Sequence, residues 1–411
     1  MKYGIIYYKE TDNIGDDIQS YAAAQLLPSV DCLVDRESLN EFSLPDNKKV
    51  AVIFNGCFLH KKYNWPPSNN IIPLCISMHF TPNDHWGIGY NFLDGAGGDY
   101  LRNFGAIGCW DSHTLNALKS RNIDAYISGC LTLTLNQRIK SQHAGSYVCA
   151  VDIPKEVENE MSERLSASGI ELKKETHWVD YKKEQLSWDE RMQRVEGLLD
   201  VYQNARCVVT KRLHCALPCL AMGVPVLLLY DEDKDDVTRY QYFLPFLSVS
   251  TVEDFLNKKD LFELINPADN SGKHLTIANE LEKRTKEFTY AIENDTISVS
   301  GLSKSYVEKW RTELLEHMAD SASNELKKEK EAYRNIEKLA VERATALVDI
   351  GEYAARLKQQ VESLQKSHDI LEVKCMALEK KLLASEQQLE IIYRSRLMRI
   401  ALSMRNMLRR K

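Results

Sequence analysis

At 411 residues and 44% apolar content, the chain is long enough for two domains with real cores and a further segment. A formal net charge of −6 argues against nucleic acid as the main partner, and ten cysteines without paired metal spacing read as reduced core residues of a cytosolic protein. No charged, apolar and small-residue leader opens the sequence and no apolar run is long enough to cross a bilayer, so the expectation is a protein kept inside the cell.

In chain order, the stretch from Tyr3 to Tyr8 predicts a first strand, followed by a polar loop and a helix from about Ile18 to Leu27. Asn13 and Gly15 suit the turn, and Asp16 or Asp17 would cap the helix at its positive end. The same loop is also a usual place for a substrate-binding carboxylate or amide. It lacks the Gly-x-Gly-x-x-Gly spacing, so a dinucleotide is not expected. Apolar runs from Lys49 to Phe54 and from Leu74 to His79 predict two more strands, and the long loop between them, through Pro73, is expected to shape an acceptor pocket. His79 ends its strand at the ligand-binding edge, where it reads either as a satisfied rim histidine or as a substrate contact. A helix from Gly95 to Phe104, a strand from Ala106 to Cys109, a helix from Asp111 to Lys119 capped by Asp111 or Ser112, and a short strand from Ala125 to Ile127 complete the first half. The boundary is expected between Asn136 and Ser146, where polar residues and Gly145 interrupt the pattern.

The second half restarts with a strand from Tyr147 to Val151, a helix from Lys155 to Ser168, a strand near Thr176 to Val179 and a helix from Trp188 to Asn204. Its densest stretch runs from Ala205 to Tyr230: a strand at Cys207 to Thr210, a helix at His214 to Met222, a Gly223-Val224-Pro225 turn and a strand at Val226 to Leu229. Lys211, Arg212 and His214 fall where strand hands over to helix, at the carboxyl edge where such sheets bind ligands. The helix points its free N–H groups outward there, and with Arg212 it would make a site for an anion. Cys215 and Cys219 lie one helical turn apart and are expected to pack, not to bind metal. The acidic loop after Tyr230 lacks the spacing of a calcium loop. Residues through about Asp320 predict helical packing around the second half.

From about Tyr333 the texture changes. Tyr333, Ala340, Leu347, Ala354, Val361, His368, Cys375, Leu382 and Leu389 recur every seven residues, interleaved with Ile336, Ile350, Leu357, Leu364, Leu371, Leu378 and Ile392. This register predicts one long coiled-coil helix spanning roughly 90 Å and making an oligomer. The tail from Arg394 to Lys411 carries seven basic residues and no acidic one, with Leu397, Ile400, Met404 and Leu408 on one helical face. It reads either as peripheral contact with an anionic membrane or as a solvated continuation of the coil.

The motif Asn13-Ile14-Gly15-Asp16-Asp17 after a first strand, with Val209-Thr210-Lys211-Arg212-Leu213-His214 ahead of Ala221-Met222-Gly223-Val224-Pro225, resembles the polysaccharide pyruvyl transferase family. The runs Ser128-Gly129-Cys130-Leu131-Thr132 and Gly108-Cys109-Trp110-Asp111 resemble stretches of the same family in the right order, over about residues 1 to 250. Trp110 stands where the family commonly carries an Arg. The resemblance implies an α/β fold of two Rossmann-like domains, glycosyltransferase-B-like, facing a cleft, expected over residues 1–140 and 141–320; the heptads and the charge pattern, not the resemblance, set the coiled coil over 321–393 and the basic tail over 394–411.

It also implies transfer of pyruvate from phosphoenolpyruvate to two sugar hydroxyls as a ketal, in surface polysaccharide biosynthesis. Phosphoenolpyruvate is then the donor substrate, and neither a further cofactor nor a metal is required. Arg212 is expected to grip the donor carboxylate or phosphate, aided by Lys211, Asn13, Gly15 and His79. His214 is expected to move a proton, as acid or base, and Asp16 or Asp111 to orient or deprotonate the sugar hydroxyls. The acceptor would be a sugar or oligosaccharide, lipid-linked if the tail contacts membrane. Two rival readings are a nucleotide-sugar-dependent glycosyltransferase, against which the helix from Leu217 to Met222 offers no carboxylate for a ribose, and a catalytically degenerate scaffold on an oligomeric stalk, for which Trp110 and the coil speak.

Overall fold

The computed structural model describes residues 1–58, 65–80, 91–235, 237–297, 301–345, 351–394, 400 and 403–406. In chain order the first half holds β1 (Lys2–Tyr7), α1 (Ile14–Ala24), β2 (Cys32–Asp35), β3 (Val50–Phe58), β4 (Ile71–Phe80), α2 (Ala96–Arg102), β5 (Ile107–Cys109), α3 (Ser112–Lys119) and β6 (Ala125–Ile127). Then follow β7 (Tyr147–Val151), α4 (Lys155–Leu165), β8 (Glu171–Glu175), α5 (Tyr181–Glu184), α6 (Trp188–Asn204), β9 (Val208–Thr210), α7 (Leu213–Ala221), β10 (Val226–Leu229), α8 (Val237–Tyr240), β11 (Ser248–Ser250), α9 (Val252–Leu256) and α10 (Leu275–Glu293). Two long helices, α11 (Lys304–Thr345) and α12 (Gly351–Arg394), end the chain. Both sheets lie in one compact unit, residues 1–81 and 97–302; residues 82–96 and 303–411 form a second.

The strand orders are β2-β1-β3-β4-β5-β6 and β8-β7-β9-β10-β11, with every pairing parallel. Parallel strands are covered on both faces, which is why β3, β7, β9 and β10 read as nearly continuous apolar runs. In each sheet the chain winds outward from its first strand in one direction and then reverses. The reversal falls between β1 and β3 in one sheet and between β7 and β9 in the other; in open parallel sheets the carboxyl ends of strands at such a reversal are where ligands bind. β3 outruns the expected strand because pairing with β4 resumes after a register shift between Phe54 and Gly56. At Gly56, φ is +95° and a Cβ would fall 2.0 Å from the Tyr8 hydroxyl oxygen, so the shift requires glycine.

α1 is the hinge pin of this unit. Its side chains Ile14, Ile18, Tyr21 and Ala22 join the buried cluster of α6 and α7, with Val195, Leu199, Tyr202, Cys215 and Cys219. Asp17, fully buried, accepts from Arg191 Nε at 2.9 Å, while Arg191 Nη2 also donates to the Tyr8 carbonyl at 2.9 Å. The backbone joins too: Ile14 N–H donates to the His177 carbonyl and Val179 N–H to the Asp12 carbonyl, each at 2.9 Å. A helix that begins in one half is thus embedded in the core of the other.

Several expectations need correction. The strand near Thr176 to Val179 is instead β8 at Glu171–Glu175; His177 to Val179 leave the sheet, with Trp178 in an antiparallel bridge to Asn13. α9 and the start of α10 do pack on the second half, Phe255 beside Val148 and Val209 and Ala278 beside Leu213, Leu217 and Phe243, but the rest of α10 turns elsewhere: Leu281, Phe288 and Ile292 lie with Tyr3, Ile5, Ala51 and Ile53 of the first sheet. No helix is described between β3 and β4, and α10 supplies the apolar cover that such a crossover helix would have given. Burial of each of those three side chains stabilises by about 1.5–3 kcal/mol. The loop between β3 and β4 lies partly outside the described residues; its Trp65 is a core residue whose Nε1 donates to the Gly97 carbonyl at 3.1 Å.

The long coiled-coil helix is likewise corrected. α11 and α12 run antiparallel beside each other within one chain: Tyr333 and His368 rings lie 4.2 Å apart, Lys330 pairs with Glu379 at 3.2 Å, and Lys374 with Glu329 at 3.9 Å. Along α12 the heptad positions Val361, Leu364, His368, Leu371, Cys375, Leu378, Leu382, Ser385 and Leu389 are half-buried or buried, and Ser367 and Lys381 beside them are half-buried too. That seam is filled within the chain, so it does not call for a second copy. The basic tail lies largely outside the described residues, and no helix among the described residues is long and apolar enough to cross a membrane.

Candidate active site

The site is assembled from loops at the carboxyl ends of both sheets. In the first sheet, His79 near the end of β4 and Asp111 after β5 come together because β4 and β5 are neighbours, Met78 pairing with Cys109. His79 Nδ1 lies 2.6 Å from an Asp111 carboxylate oxygen. Asp111 also caps α3, accepting from the Thr114 N–H at 2.8 Å and from the Thr114 hydroxyl at 3.0 Å. Burial alone would raise this carboxyl, but the bonds from His79 and Thr114 outweigh it and hold it below the usual carboxylate value. An ionised Asp111 fixes the His79 tautomer, with the proton on Nδ1, and leaves Nε2 as the working atom. Asp111 is fully buried in this pair.

Trp110 is the hub. Its ring centroid lies 5.8 Å from that of His79, 4.9 Å from that of His214 and 6.2 Å from that of Phe243, and the Arg239 guanidinium carbon sits 5.9 Å from it. His214 stands in the first turn of α7, on the second sheet. Burial first, then the Arg239 guanidinium and the His177 and His79 imidazoles, push it well below the ordinary histidine value. His214 is therefore neutral at physiological pH and suits a base. Its Nε2, the Trp110 Nε1 and the His177 Nδ1 are all buried without a hydrogen-bond partner among the described residues.

The turn after β1 reaches the same place. Asn13, not Asp16 or Asp17, caps α1: its side-chain oxygen accepts from the Gly15 N–H at 3.0 Å. A Cβ on Gly15 would lie 3.1 Å from His214 Cβ and 3.3 Å from His177 Nδ1, so glycine allows the two halves to approach. Asp16 accepts from the Thr11 hydroxyl at 2.6 Å, and its charge reaches Tyr8, Arg36 and Cys57.

Arg212 and Lys211 stand a step to the side, at the β7/β9 switch. Arg212 is the N-cap residue of α7; its Nε donates to Asp152 at 2.7 Å and its guanidinium lies 4.7 Å from the Trp178 ring centroid. Asp152 follows β7 at a φ of +49°, an uncommon conformation for a residue with a side chain. Burial is outweighed there by Thr176, the His177 N–H and Arg212, which keep the Asp152 carboxyl low. Lys211 pairs with Asp235 at 3.3 Å. The structure thus gathers Asn13, Gly15, His79, Asp111 and His214 into one neighbourhood and sets Arg212 and Lys211 in ion pairs beside it.

Asp152, His177, Arg191 and Arg239 are absent from the residues singled out in the sequence. For Arg191 the signal was present: it shares the spacing of Val195, Leu198 and Tyr202, and a charge on an apolar stripe needs a buried partner. Two surface concavities, of about 590 and 450 Å³, lie over α10 and beside β11, away from these residues.

Solved structures similar to this chain include a functionally uncharacterized protein from Klebsiella pneumoniae (14% identity, 61% of this chain and 94% of that one, TM-score 0.34). Others are MnaA of S. aureus with UDP (12%, 70% and 92%, TM-score 0.35) and a UDP-GlcNAc 2-epimerase of Methanocaldococcus jannaschii (10%, 71% and 100%, TM-score 0.32). No curated protein matches the chain. The polysaccharide pyruvyl transferase family model matches residues 13–233, from the cap of α1 to the loop after β10, a span that includes Asn13, Gly15, His79, Trp110, Asp111, Asp152, His177, Lys211, Arg212 and His214. Covering more than half of the 411 residues, that match makes the chain a member of the polysaccharide pyruvyl transferase family.

Proposed function

We propose that the protein transfers pyruvate from phosphoenolpyruvate to two hydroxyls of a sugar, closing a ketal and releasing inorganic phosphate. The observation that carries this reading is the buried Asp111–His79 pair set beside a second buried imidazole, His214, with Nε2 unengaged, all within the family-matched span. The reaction needs two kinds of proton transfer. A proton added to the terminal enol carbon makes the neighbouring carbon electrophilic; one sugar hydroxyl attacks it, and the second then displaces the phosphate. Two hydroxyl protons leave in total: one is balanced by the proton gained at the methyl carbon, the other departs with the phosphate.

Neutral His214 is suited to take a hydroxyl proton, and His79, when its Nε2 also carries a proton beside the Asp111 carboxylate, to deliver one to the enol carbon. Asp152 holds Arg212 through Nε, and both Nη groups at the N-terminus of α7 are available to the donor's carboxylate or phosphate. Lys211, Asn13 and Asp16 would serve the acceptor, bound at the carboxyl edges of the two sheets. The ten cysteines are all free thiols, as suits a reducing compartment. A lipid-linked acceptor would give the basic tail a purpose at a membrane surface.

The test is to incubate the purified full chain with sugar acceptors and either phosphoenolpyruvate or nucleotide sugars. Release of inorganic phosphate, together with a new ketal methyl resonance on the sugar, is the expected result. Nucleotide release without phosphate would replace this reading with a glycosyltransferase.

A further inference from the structure

Trp110 is 1% exposed, yet its indole Nε1 has no hydrogen-bond partner among the described residues. A buried N–H left unpaired costs about 1–3 kcal/mol, and such a group in a folded protein calls for a specific reason. Packing accounts for the ring but not for the nitrogen: Phe at this position would fill most of the same space against His79, His214 and Phe243 without carrying an unmet donor. The neighbouring ring poses the same question. His214, with its centroid 4.9 Å from that of Trp110, also buries an Nε2 that nothing engages. The indole N–H, with the Arg239 guanidinium carbon 5.9 Å from the ring centroid, suits an oxygen of negative charge, while the neighbouring His214 Nε2 suits a hydroxyl.

We propose that the Trp110 indole N–H is a substrate-binding donor, giving its hydrogen bond to an anionic oxygen of the donor substrate, so that Trp110 both spaces the two imidazoles and holds the molecule on which they act. This deepens the reading of the site as one for phosphoenolpyruvate and rests on it. An indole can only donate, so it favours an oxyanion over the sugar's hydroxyl protons and helps to sort donor from acceptor.

The decisive comparison is between the wild-type chain, Trp110→Phe, and a chain carrying β-(3-benzothienyl)alanine at position 110, which keeps the bicyclic shape and lacks the N–H. Calorimetric titration with phosphoenolpyruvate is read beside thermal melting of each protein. The expected result is that the benzothienyl protein melts within a few degrees of the wild type and binds phosphoenolpyruvate at least tenfold more weakly, with Trp110→Phe weakened at least as much. Equal affinity of the wild type and the benzothienyl protein overturns the assignment of Trp110 while leaving the donor intact. If the wild type itself takes up no phosphoenolpyruvate, the reading of the site fails and this assignment falls with it.

Discussion

His79 and Asp111 are 32 residues apart in sequence and 2.6 Å apart in space, both almost completely buried. Adjacent parallel strands bring them together, and the first turn of α3 fixes the carboxylate by its own backbone. Asp111→Asn separates these duties. An amide oxygen can still accept from Thr114, so the cap survives, but the negative charge that sets the His79 tautomer is gone. Phosphate release should fall at least a hundredfold, equivalent to about 2.7 kcal/mol of barrier, with melting little changed. Asp111→Ala should lose the cap as well, at about 1 kcal/mol of stability. An Asn variant as fast as the wild type would show that the pair is structural only.

His214 and Asp111 should leave different marks on stability against pH. Folding carries His214 into a place that disfavours its proton, so the unfolded chain binds more protons from about pH 6.5 downward to the lowered folded value. Stability therefore rises with pH through that window and is lost on acidification. Asp111 works lower: its contribution is present above the unfolded carboxyl value of about 3.9 and disappears as the pH falls through its depressed folded value. Urea unfolding at pH 7 and pH 5 should show a smaller drop for His214→Gln than for the wild type, with His274, also lowered by burial, supplying part of the remainder.

The pair Arg191–Asp17 should matter to folding more than to chemistry. Both side chains are at most 1% exposed, and Arg191 in addition lies 4.1 Å from the Tyr181 ring centroid. Arg191→Ala strands a carboxylate in the core where α1 enters the second half, which costs about 3–5 kcal/mol. A paired Arg191→Met, Asp17→Leu replacement should recover much of that, because it removes both charges together. Thermal melting of the two variants checks this; an alanine variant as stable as the wild type would mean that water reaches Asp17.

Arg212 stands 27% exposed in its pair with Asp152, so the pair adds little stability by itself, within about 1 kcal/mol. Its value is positional. Arg212→Lys keeps a charge but cannot hold Asp152 and a planar anion at once, and kcat/KM should fall at least tenfold, about 1.4 kcal/mol. The loss should appear in KM for phosphoenolpyruvate, and Asp152→Asn should share it in smaller measure. Unaltered kinetics in Arg212→Lys would remove the residue from the donor site.

What the sequence made legible was whatever local pattern determines. The strand, helix and strand between Val208 and Leu229 follow from apolar runs and a Gly-Val-Pro turn, Asp111 as a cap from its place before α3, and the α12 seam from its heptads. Less legible was what each buried face is buried against. The stripe of α10 announces that Leu281 and Phe288 are covered but not that the first sheet covers them, and an α12 heptad that fits another molecule fits α11 equally well. β8 was misplaced because Glu-Leu-Lys-Lys-Glu at a sheet edge has almost no apolar signal, while Thr-His-Trp-Val beyond it does. The site suffered in the same way: His79, Asp111 and His214 were visible singly, and their meeting depends on strand order in two sheets.

Gly15 makes the sharpest demand on that meeting. In an ordinary helix, replacing Gly by Ala stabilises by up to about 1 kcal/mol. Here the added Cβ would sit 3.0 Å from the Asn13 side-chain oxygen, 3.1 Å from His214 Cβ and 3.3 Å from His177 Nδ1. None of the three can easily yield. The Asn13 oxygen is committed to the Gly15 N–H, His214 Cβ is fixed to the backbone of α7, and His177 is held through Nε2 by the Tyr202 hydroxyl at 2.8 Å. Crowding should therefore outweigh propensity, and Gly15→Ala should destabilise by about 1–3 kcal/mol. Because relief comes most readily from parting α1 and α7, the variant should also lose activity by more than its stability explains, even at temperatures where it is fully folded. Gly15→Ser should be no better, since its Cβ meets the same three atoms. A Gly15→Ala protein that melts higher than the wild type and turns over normally would show that the turn after β1 and the first turn of α7 do not need to touch for the site to work.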